Sequence, residues 1–249
     1  MGRVGAGPVG AAFYNFHPAM VRQAVPACWE VADPEELILI RARAAAAALA
    51  ELCQPPALEG LVGSLPTLRA VVGRCDGTGR ILAGANRAVS AVIAARLGAR
   101  GMEQSAVGVA EAWQACTTLR EHRGHSHVAA LVGHDLSGLQ AHLLAAGVLG
   151  VPPEVLRDNR GWSEAEWSSG LRALVGRGLL GDDGHATEDG CGIHAAVEAQ
   201  TNDLAQVPFA HMSDQEVALL LQALRSCAAE VQSSGLLPFP NPMGLPTLN

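Results

Sequence analysis

Ser163-Glu164-Ala165-Glu166-Trp167-Ser168-Ser169-Gly170-Leu171-Arg172-Ala173-Leu174-Val175-Gly176-Arg177, followed by Gly178-Leu179-Leu180-Gly181-Asp182-Asp183-Gly184-His185-Ala186-Thr187, is the stretch that decides the fold. Ser163 and Glu166 form a capping box, in which the hydroxyl accepts from the third helical amide and the carboxylate reaches back to the cap amide. A helix therefore starts here and runs to about Arg177. Asp182-Asp183-Gly184 is a tight-turn signal between two short apolar pieces, and Thr187 opens another helix. Helix, short hairpin, helix is the order of a winged helix-turn-helix. Trp162 and Trp167 straddle the box, where a hydrophobic staple suits them.

Downstream, a second box at Ser213-Asp214-Gln215-Glu216 opens a last long helix to near Ser233, ahead of a Pro-rich tail. A terminal helix of that length is compatible with a homodimer. Upstream, Asp33-Pro34-Glu35-Glu36 combines an N-cap, a proline at the first helical position and carboxylates near the positive end of the dipole. This helix should run to about Leu52 and stop before Pro55-Pro56. Residues 57–105 read as two or three shorter helices separated by turns at Asp76-Gly77-Thr78-Gly79 and Gly98 to Gly101. Helical spacing over Val107 to Arg120 is predicted to break at Gly124, with short helices following at 126–134 and 137–148. The expectation is a mostly α chain: a helical region over 1–150, then a winged-helix-like region over 151–249 with a short β-hairpin.

The composition narrows the class. At 249 residues, 49% hydrophobic and 16% charged, the chain can bury a core without disulfide staples. Aromatics are only 4%, so Leu, Val and Ala must build that core, which favours closely packed helices. The apolar stretch Leu136 to Pro153 is interrupted by Ser137, Gln140, His142 and Pro152-Pro153, so no membrane crossing is expected. The first twenty residues lack an unbroken apolar run, which argues against a secretory signal. Six scattered cysteines without a C-x-x-C pair point to buried free thiols, no thiolate metal site and a cytoplasmic protein. All 17 basic residues are Arg. Residues 1–150 hold 12 Arg against 11 carboxylates, and residues 151–249 hold 5 against 13, so the net charges are +1 and −8.

Several segments carry a family resemblance. Leu119-Arg120-Glu121-His122-Arg123-Gly124, His127-Val128-Ala129-Ala130-Leu131, Arg160-Gly161-Trp162-Ser163-Glu164 with Glu166-Trp167, and Leu237-Pro238-Phe239-Pro240-Asn241-Pro242-Met243-Gly244 form one set. Phe13-Tyr14-Asn15-Phe16 with Pro18-Ala19-Met20-Val21, and Ala85-Asn86-Arg87-Ala88, extend it over nearly the whole chain. Together they resemble a family of actinobacterial helix-turn-helix proteins named after a Streptomyces coelicolor locus. The resemblance implies a helical N-terminal region and a C-terminal region similar to the MarR regulators, and it assigns no activity. The sequence departs from that family at two places. Members carry a further helical segment ahead of the point where this chain begins, and His125 stands where they commonly have Asp.

His122, His125, His127 and His134, with Arg120 and Arg123, are the densest set of imidazole and guanidinium in the chain. If the backbone turns at Gly124, His122, Arg123 and His127 converge on one pocket. Arg offers a planar fork to a carboxylate or phosphate, and His can donate or shuttle a proton near neutral pH. The competing reading has His122 capping a helix end and Arg123 paired with Glu121 or Asp135. A metal site needs three inward-facing ligands, which this spacing does not guarantee, and none is expected. Phe13 to Pro18 either plugs the core or lines a cleft; from it Tyr14 and His17 could reach a ligand, and Asn86 and Arg87 could support the same pocket. Gly5-x-Gly7-x-x-Gly10 matches a dinucleotide fingerprint in form, with Glu30 at the ribose distance. Too few residues precede it for the required strand, so a flexible loop is expected and no cofactor. No G-x-S-x-G, H-E-x-x-H or P-loop is present.

A major-groove reader needs several cations against the phosphates. The would-be recognition helix offers Arg172 and Arg177 against Glu164 and Glu166, and the would-be wing is acidic. The preferred expectation is a small-molecule protein holding an anionic ligand between its two halves, with His122, Arg123, His127, Tyr14, His17, Asn86 and Arg87 as candidate contacts. In a converting version His122 or His127 is the acid/base; whether the ligand is sensed or converted is open. A MarR-like DNA-binding regulator using Arg172 and Arg177 is the first alternative, and a structural partner protein without a ligand is the second.

Overall fold

A computed structural model describes residues 2–239, 241, 247 and 248. Pro240, Pro242, Met243 and Gly244 of the tail pattern lie outside the described residues. In chain order the helices are α1 (Ala6–Ala12), α2 (Pro18–Ala24), α3 (Cys28–Val31), α4 (Pro34–Leu52), α5 (Pro55–Gly63), α6 (Leu65–Gly73), α7 (Ile81–Ser90) and α8 (Ile93–Ala99). There follow α9 (Gln104–Gly133), α10 (Gly138–Leu149), α11 (Pro153–Arg160), α12 (Glu164–Gly176), α13 (Glu188–Gln206), a 3-10 turn (Val207–Phe209) and α14 (Asp214–Ser233).

The local start signals act as elementary chemistry requires. Asp33 accepts from the Glu35 amide at 2.9 Å to open α4, and Ser163 and Ser213 form complete capping boxes with Glu166 and Glu216. The Phe13–Pro18 segment lies between α1 and α2, and α1 itself covers Gly7 and Gly10. The dinucleotide-like glycines therefore sit at the start of and within a helix, where a loop was expected.

Gly124 does not break the chain. α9 continues through it for 30 residues, because a helix-interior glycine costs only about 1 kcal/mol and the helix is buried along most of its length. The helix stops at Asp135, which takes the left-handed conformation (φ 52°), and the Leu136 amide returns to the Leu131 carbonyl at 2.9 Å. One apolar core gathers α4–α6, α8 and the first half of α9 around Leu68, Ile93 and Leu97, with α14 supplying Leu220 and Cys227. A second gathers the end of α9 with α10–α13 around Leu136, Leu144, Trp167, Leu174 and Val197. Among the described residues no single helix is long and apolar enough to cross a membrane.

The short β-hairpin is not formed. Leu180 and Ala186 make one isolated antiparallel bridge, and no strand occurs among the described residues. The bridge cannot lengthen into strands, because α12 ends at Gly176 just before it and Thr187 caps α13 just after it. The bridge consists of two bonds, Thr187 amide to Leu179 O at 3.2 Å and Gly181 amide to His185 O at 2.8 Å; the outward Ala186 amide donates to Gly147 O at 3.2 Å, and Thr187 Oγ1 donates to Gly178 O at 2.6 Å while capping α13. The fold is therefore all-α, with a tight loop in place of the wing strands. The six cysteines are free; Cys53, Cys75 and Cys227 are buried, Cys28 and Cys116 half-buried, and Cys191 exposed, so burial does not hold for all of them.

The N-terminal segment docks on α10 through a glycine. A Cβ added at Gly138 would overlap the Tyr14 carbonyl oxygen and lie 2.9 Å from Asn15 Cα, so backbone meets backbone there. Gly138→Ala is expected to destabilise the protein by about 1–3 kcal/mol. Urea unfolding followed by circular dichroism measures this, and an unchanged midpoint would show that the segment does not dock.

Candidate functional site

α11 and α12 are joined by Gly161-Trp162-Ser163, with Gly161 in the left-handed region (φ 77°) that lets the chain reverse between two helices. Trp167 and Leu174 turn inward, while Ala165, Ser169, Arg172, Ala173 and Gly176 are exposed. This is a helix-turn-helix with the outer face of its second helix open. Arg177, the other cation predicted for DNA, is engaged: its Nη1 donates to Asp135 O at 2.7 Å and its Nη2 to His134 O at 3.4 Å. Both acceptors lie at the negative end of α9, where a cation is favoured. The loop after α12 carries Asp182 and Asp183, with Asp183 Oδ1 accepting from the His185 amide at 3.0 Å.

The aromatic segment plugs this module. Tyr14 Oη donates to Leu136 O at 2.7 Å, and burial holds its pKa above the ordinary value. His17 Nδ1 accepts from the Ala19 amide at 3.1 Å, which puts the ring proton on Nε2, 2.9 Å from Glu166 Oε1. The Glu166 carboxyl is held low, chiefly by the Ser163 hydroxyl and amide and further by His17. Trp162 Nε1 and His142 Nε2 both point at Asn15 O, at 3.1 and 3.2 Å. The Arg160 guanidinium lies over the Phe16 ring at 4.6 Å. His142 and Arg160, neither of them a candidate contact in the sequence reading, are both buried. Their partners lie on the distant Asn15–His17 segment, so no local pattern marks them.

An unbroken α9 distributes the histidine and arginine residues by helical geometry. Arg123 and His127, four apart, share one face. Arg123 Nη2 donates to Glu198 Oε2 at 2.9 Å and lies 3.4 Å from Asn202 Oδ1. His127 Nδ1 stands 3.2 Å from Thr201 Oγ1 and 3.5 Å from Glu198 Oε1. Arg123 thus pairs with a carboxylate of α13 rather than with Glu121 or Asp135. Burial lowers the His127 pKa, with Glu198 opposing.

His122 lies about 100° further round the helix and is 2% exposed. Burial lowers its pKa first; Arg80 adds to this, while the Leu204 carbonyl and Asp76 oppose. Neither ring nitrogen completes a hydrogen bond among the described residues. Asn86 accepts from Gln114 Nε2 at 3.0 Å and donates to Leu82 O at 2.9 Å, and Arg87 Nη1 reaches Gly73 O at 3.4 Å. The predicted residues therefore do not form one site: Tyr14 and His17 lie on the helix-turn-helix, Arg123 and His127 against α13, Asn86 and Arg87 on α7, and His122 is buried on α9 where the Leu204 carbonyl and the charges of Arg80 and Asp76 act on it. Two surface concavities are lined by other residues, one by Ala218, Leu221 and Arg225 on α14, the other by Arg43, Ala47 and Met102 beside α4. No cluster of three His, Cys, Asp or Glu is placed to hold a metal ion among the described residues.

The buried histidines make stability depend on pH. His142 is pushed down to about 4, first by burial and then by Arg160, so its proton binds the unfolded chain more readily than the folded one. Its contribution is present above the unfolded value near 6.5 and is lost as pH falls toward 4; His122 and His127 act in the same direction. Chemical-denaturation midpoints are expected to fall over that interval and to fall less in His142→Gln. A variant profile parallel to wild type would refute the assignment.

Neither a curated protein nor a solved structure matches the chain. A model of a helix-turn-helix family matches residues 1–238, from the N-terminal plug through the open second helix to the end of α14. The chain belongs to that helix-turn-helix family.

Proposed function

We propose that this protein binds a small anionic molecule as an effector, inside the cell, and that its helix-turn-helix serves as a scaffold rather than as a self-sufficient grip on the double helix. The observation that carries this reading is the engagement of Arg177 at the end of α9. It leaves Arg172 as the exposed cation of α12, beside a loop bearing Asp182 and Asp183. Phosphate contacts supply most non-specific affinity, and carboxylates near phosphates oppose it. In the sensing form the effector is bound and released unchanged. In the converting form His122 or His127, kept neutral at pH 7 by burial, would take a proton from it.

A second reading, a MarR-like regulator, is favoured by the outer face of α12. Ala165, Ser169, Ala173 and Gly176 are small enough for backbone to approach base edges, and two subunits would bring two copies of Arg172. A structural partner protein without a ligand would show neither anion nor duplex binding.

Fluorescence anisotropy with duplexes from the protein's own upstream region decides between these readings. Binding no tighter than a non-specific Kd of about 10⁻⁶ M is expected, with log K falling against log salt at a slope of roughly −1 per subunit. Sequence-selective binding with a slope of about −5 or steeper, lost in Arg172→Ala, would establish the regulator instead. Arg177→Ala is expected to lower stability by about 1 kcal/mol through α9.

A further inference from the structure

α14 packs by one stripe of side chains and leaves another bare. Leu220 and Cys227 are buried in the first core, with Leu224 and Val231 packed against it, so residues 220, 224, 227 and 231 repeat at spacings of four and three along the inner face. A surface helix ordinarily turns charged residues outward. Here Arg225 is the one charged residue from Val217 to Ala229, and Leu219 and Leu221 are 59% and 45% exposed. One of the two surface concavities runs along this side, lined by Ala218, Leu221, Gln222, Arg225 and Ser226.

The outward residues stand in a definite order. Asp214, Ala218, Leu221 and Arg225 are all exposed and are spaced four, three and four apart, which keeps them on one face of the helix over about 16 Å. The Asp214 carboxylate and the Arg225 guanidinium make no hydrogen bond or ion pair among the described residues. The other acids of α14 are engaged: Glu216 accepts from the Ser213 amide at 2.8 Å, and Glu230 from the Gln54 amide at 2.6 Å. The spacing four, three, four is the same from either end. A second copy turned end for end therefore sets Arg225 opposite Asp214 and Leu221 opposite Ala218, twice over. Large residues facing small ones let two helices approach to about 8–10 Å. Parallel pairing would instead set Asp214 on Asp214 and Arg225 on Arg225, which like charges oppose.

We propose that the outer face of α14 is a homodimer interface, in which two copies of this chain pair antiparallel about a two-fold axis at the level of Leu219 and Leu220, with Asp214 of each copy meeting Arg225 of the other. A second copy is the occupant the stripe selects, because the stripe is its own complement in charge, size and spacing, as an isologous contact requires. The charge pairs lie at the two ends of the contact and fix its direction, while Leu221 of each copy supplies the apolar centre. One pair of such short faces lies at the small end of interface size, so the dimer forms reversibly with a Kd of about 10⁻⁵ M. α14 belongs to the first core and α12 to the second, so the pairing uses none of the outer face of α12. It is the same whether the effector is sensed or converted.

Sedimentation equilibrium of the full chain over about 1–200 µM, a range that brackets this Kd, tests the pairing. For wild type the average mass is expected to rise from that of one chain toward that of two. Asp214→Arg and Arg225→Asp each set like charges opposite one another at both ends of the pair, and each is expected to weaken association by about tenfold or more. An equimolar mixture of the two variants is expected to recover wild-type association, because every charge then meets its opposite. Leu221→Gln, at an exposed position, is expected to weaken association with the helical circular dichroism unchanged, and the same spectrum on the charge variants separates loss of association from loss of folding. A wild-type chain that stays monomeric over this range would overturn the interface. Association that neither charge reversal weakens would place it on another face, and weakening in both variants without recovery in the mixture would overturn the antiparallel register.

Discussion

The need to satisfy polar groups along a buried helix governs this structure. α9 runs through both apolar cores and buries Glu111, Gln114, Thr117, Thr118, His122 and Ser126 along with its aliphatic residues. Each buried polar atom left alone would cost about 1–3 kcal/mol, so the surrounding helices are held in register by what they offer it. Arg69 on α6 forks onto Glu111, Asn86 and Ser90 on α7 meet Gln114 and Thr118, and Glu198 and Thr201 on α13 meet Arg123 and His127. Apolar packing brings these helices together, and the polar pairs select one arrangement among the many that packing alone would allow.

The same logic explains how the helix-turn-helix is tied to the rest. Its second helix starts at a capping box whose Glu166 also accepts a hydrogen bond from His17, and it ends where Arg177 covers the last carbonyls of α9. Both ends of α12 are thus anchored, and at its C-terminal end the anchor is a guanidinium that a free DNA reader would hold ready for phosphates. The remaining outer face is small and nearly neutral, and the carboxylates of the following loop oppose a polyanion. Architecture and electrostatics point to different uses of this surface, and the sign of the charge argues for a partner other than a bare duplex.

Local chemistry was legible wherever one side chain acts on its own backbone. Asp33 with Pro34, Ser163 with Glu166, and Ser213 with Glu216 mark helix starts from three or four residues alone, and each occurs where that chemistry places it. Gly124 misled because its cost of about 1 kcal/mol is small beside the burial on both sides of it. The hairpin failed for a different reason: Asp182-Asp183-Gly184 does form a turn and one bridge, but α12 ends at Gly176 and Thr187 already caps α13, so no residues are left to lengthen it into strands. The pairing of Arg123 with Glu198 links residues 75 positions apart, and no spacing rule could have chosen that carboxylate over Glu121.

By itself, then, the amino-acid sequence determined the helical class, the main helix starts, the acidic C-terminal half and the order that makes a helix-turn-helix, because these depend on near neighbours and on summed charge. Tertiary structure alone decided that α9 is one helix, that Arg177 is engaged, that Tyr14 and His17 close onto the α10–α12 module, and that His122 is buried. Those outcomes turn on which distant donor reaches a buried acceptor first, a competition settled only when the helices are packed.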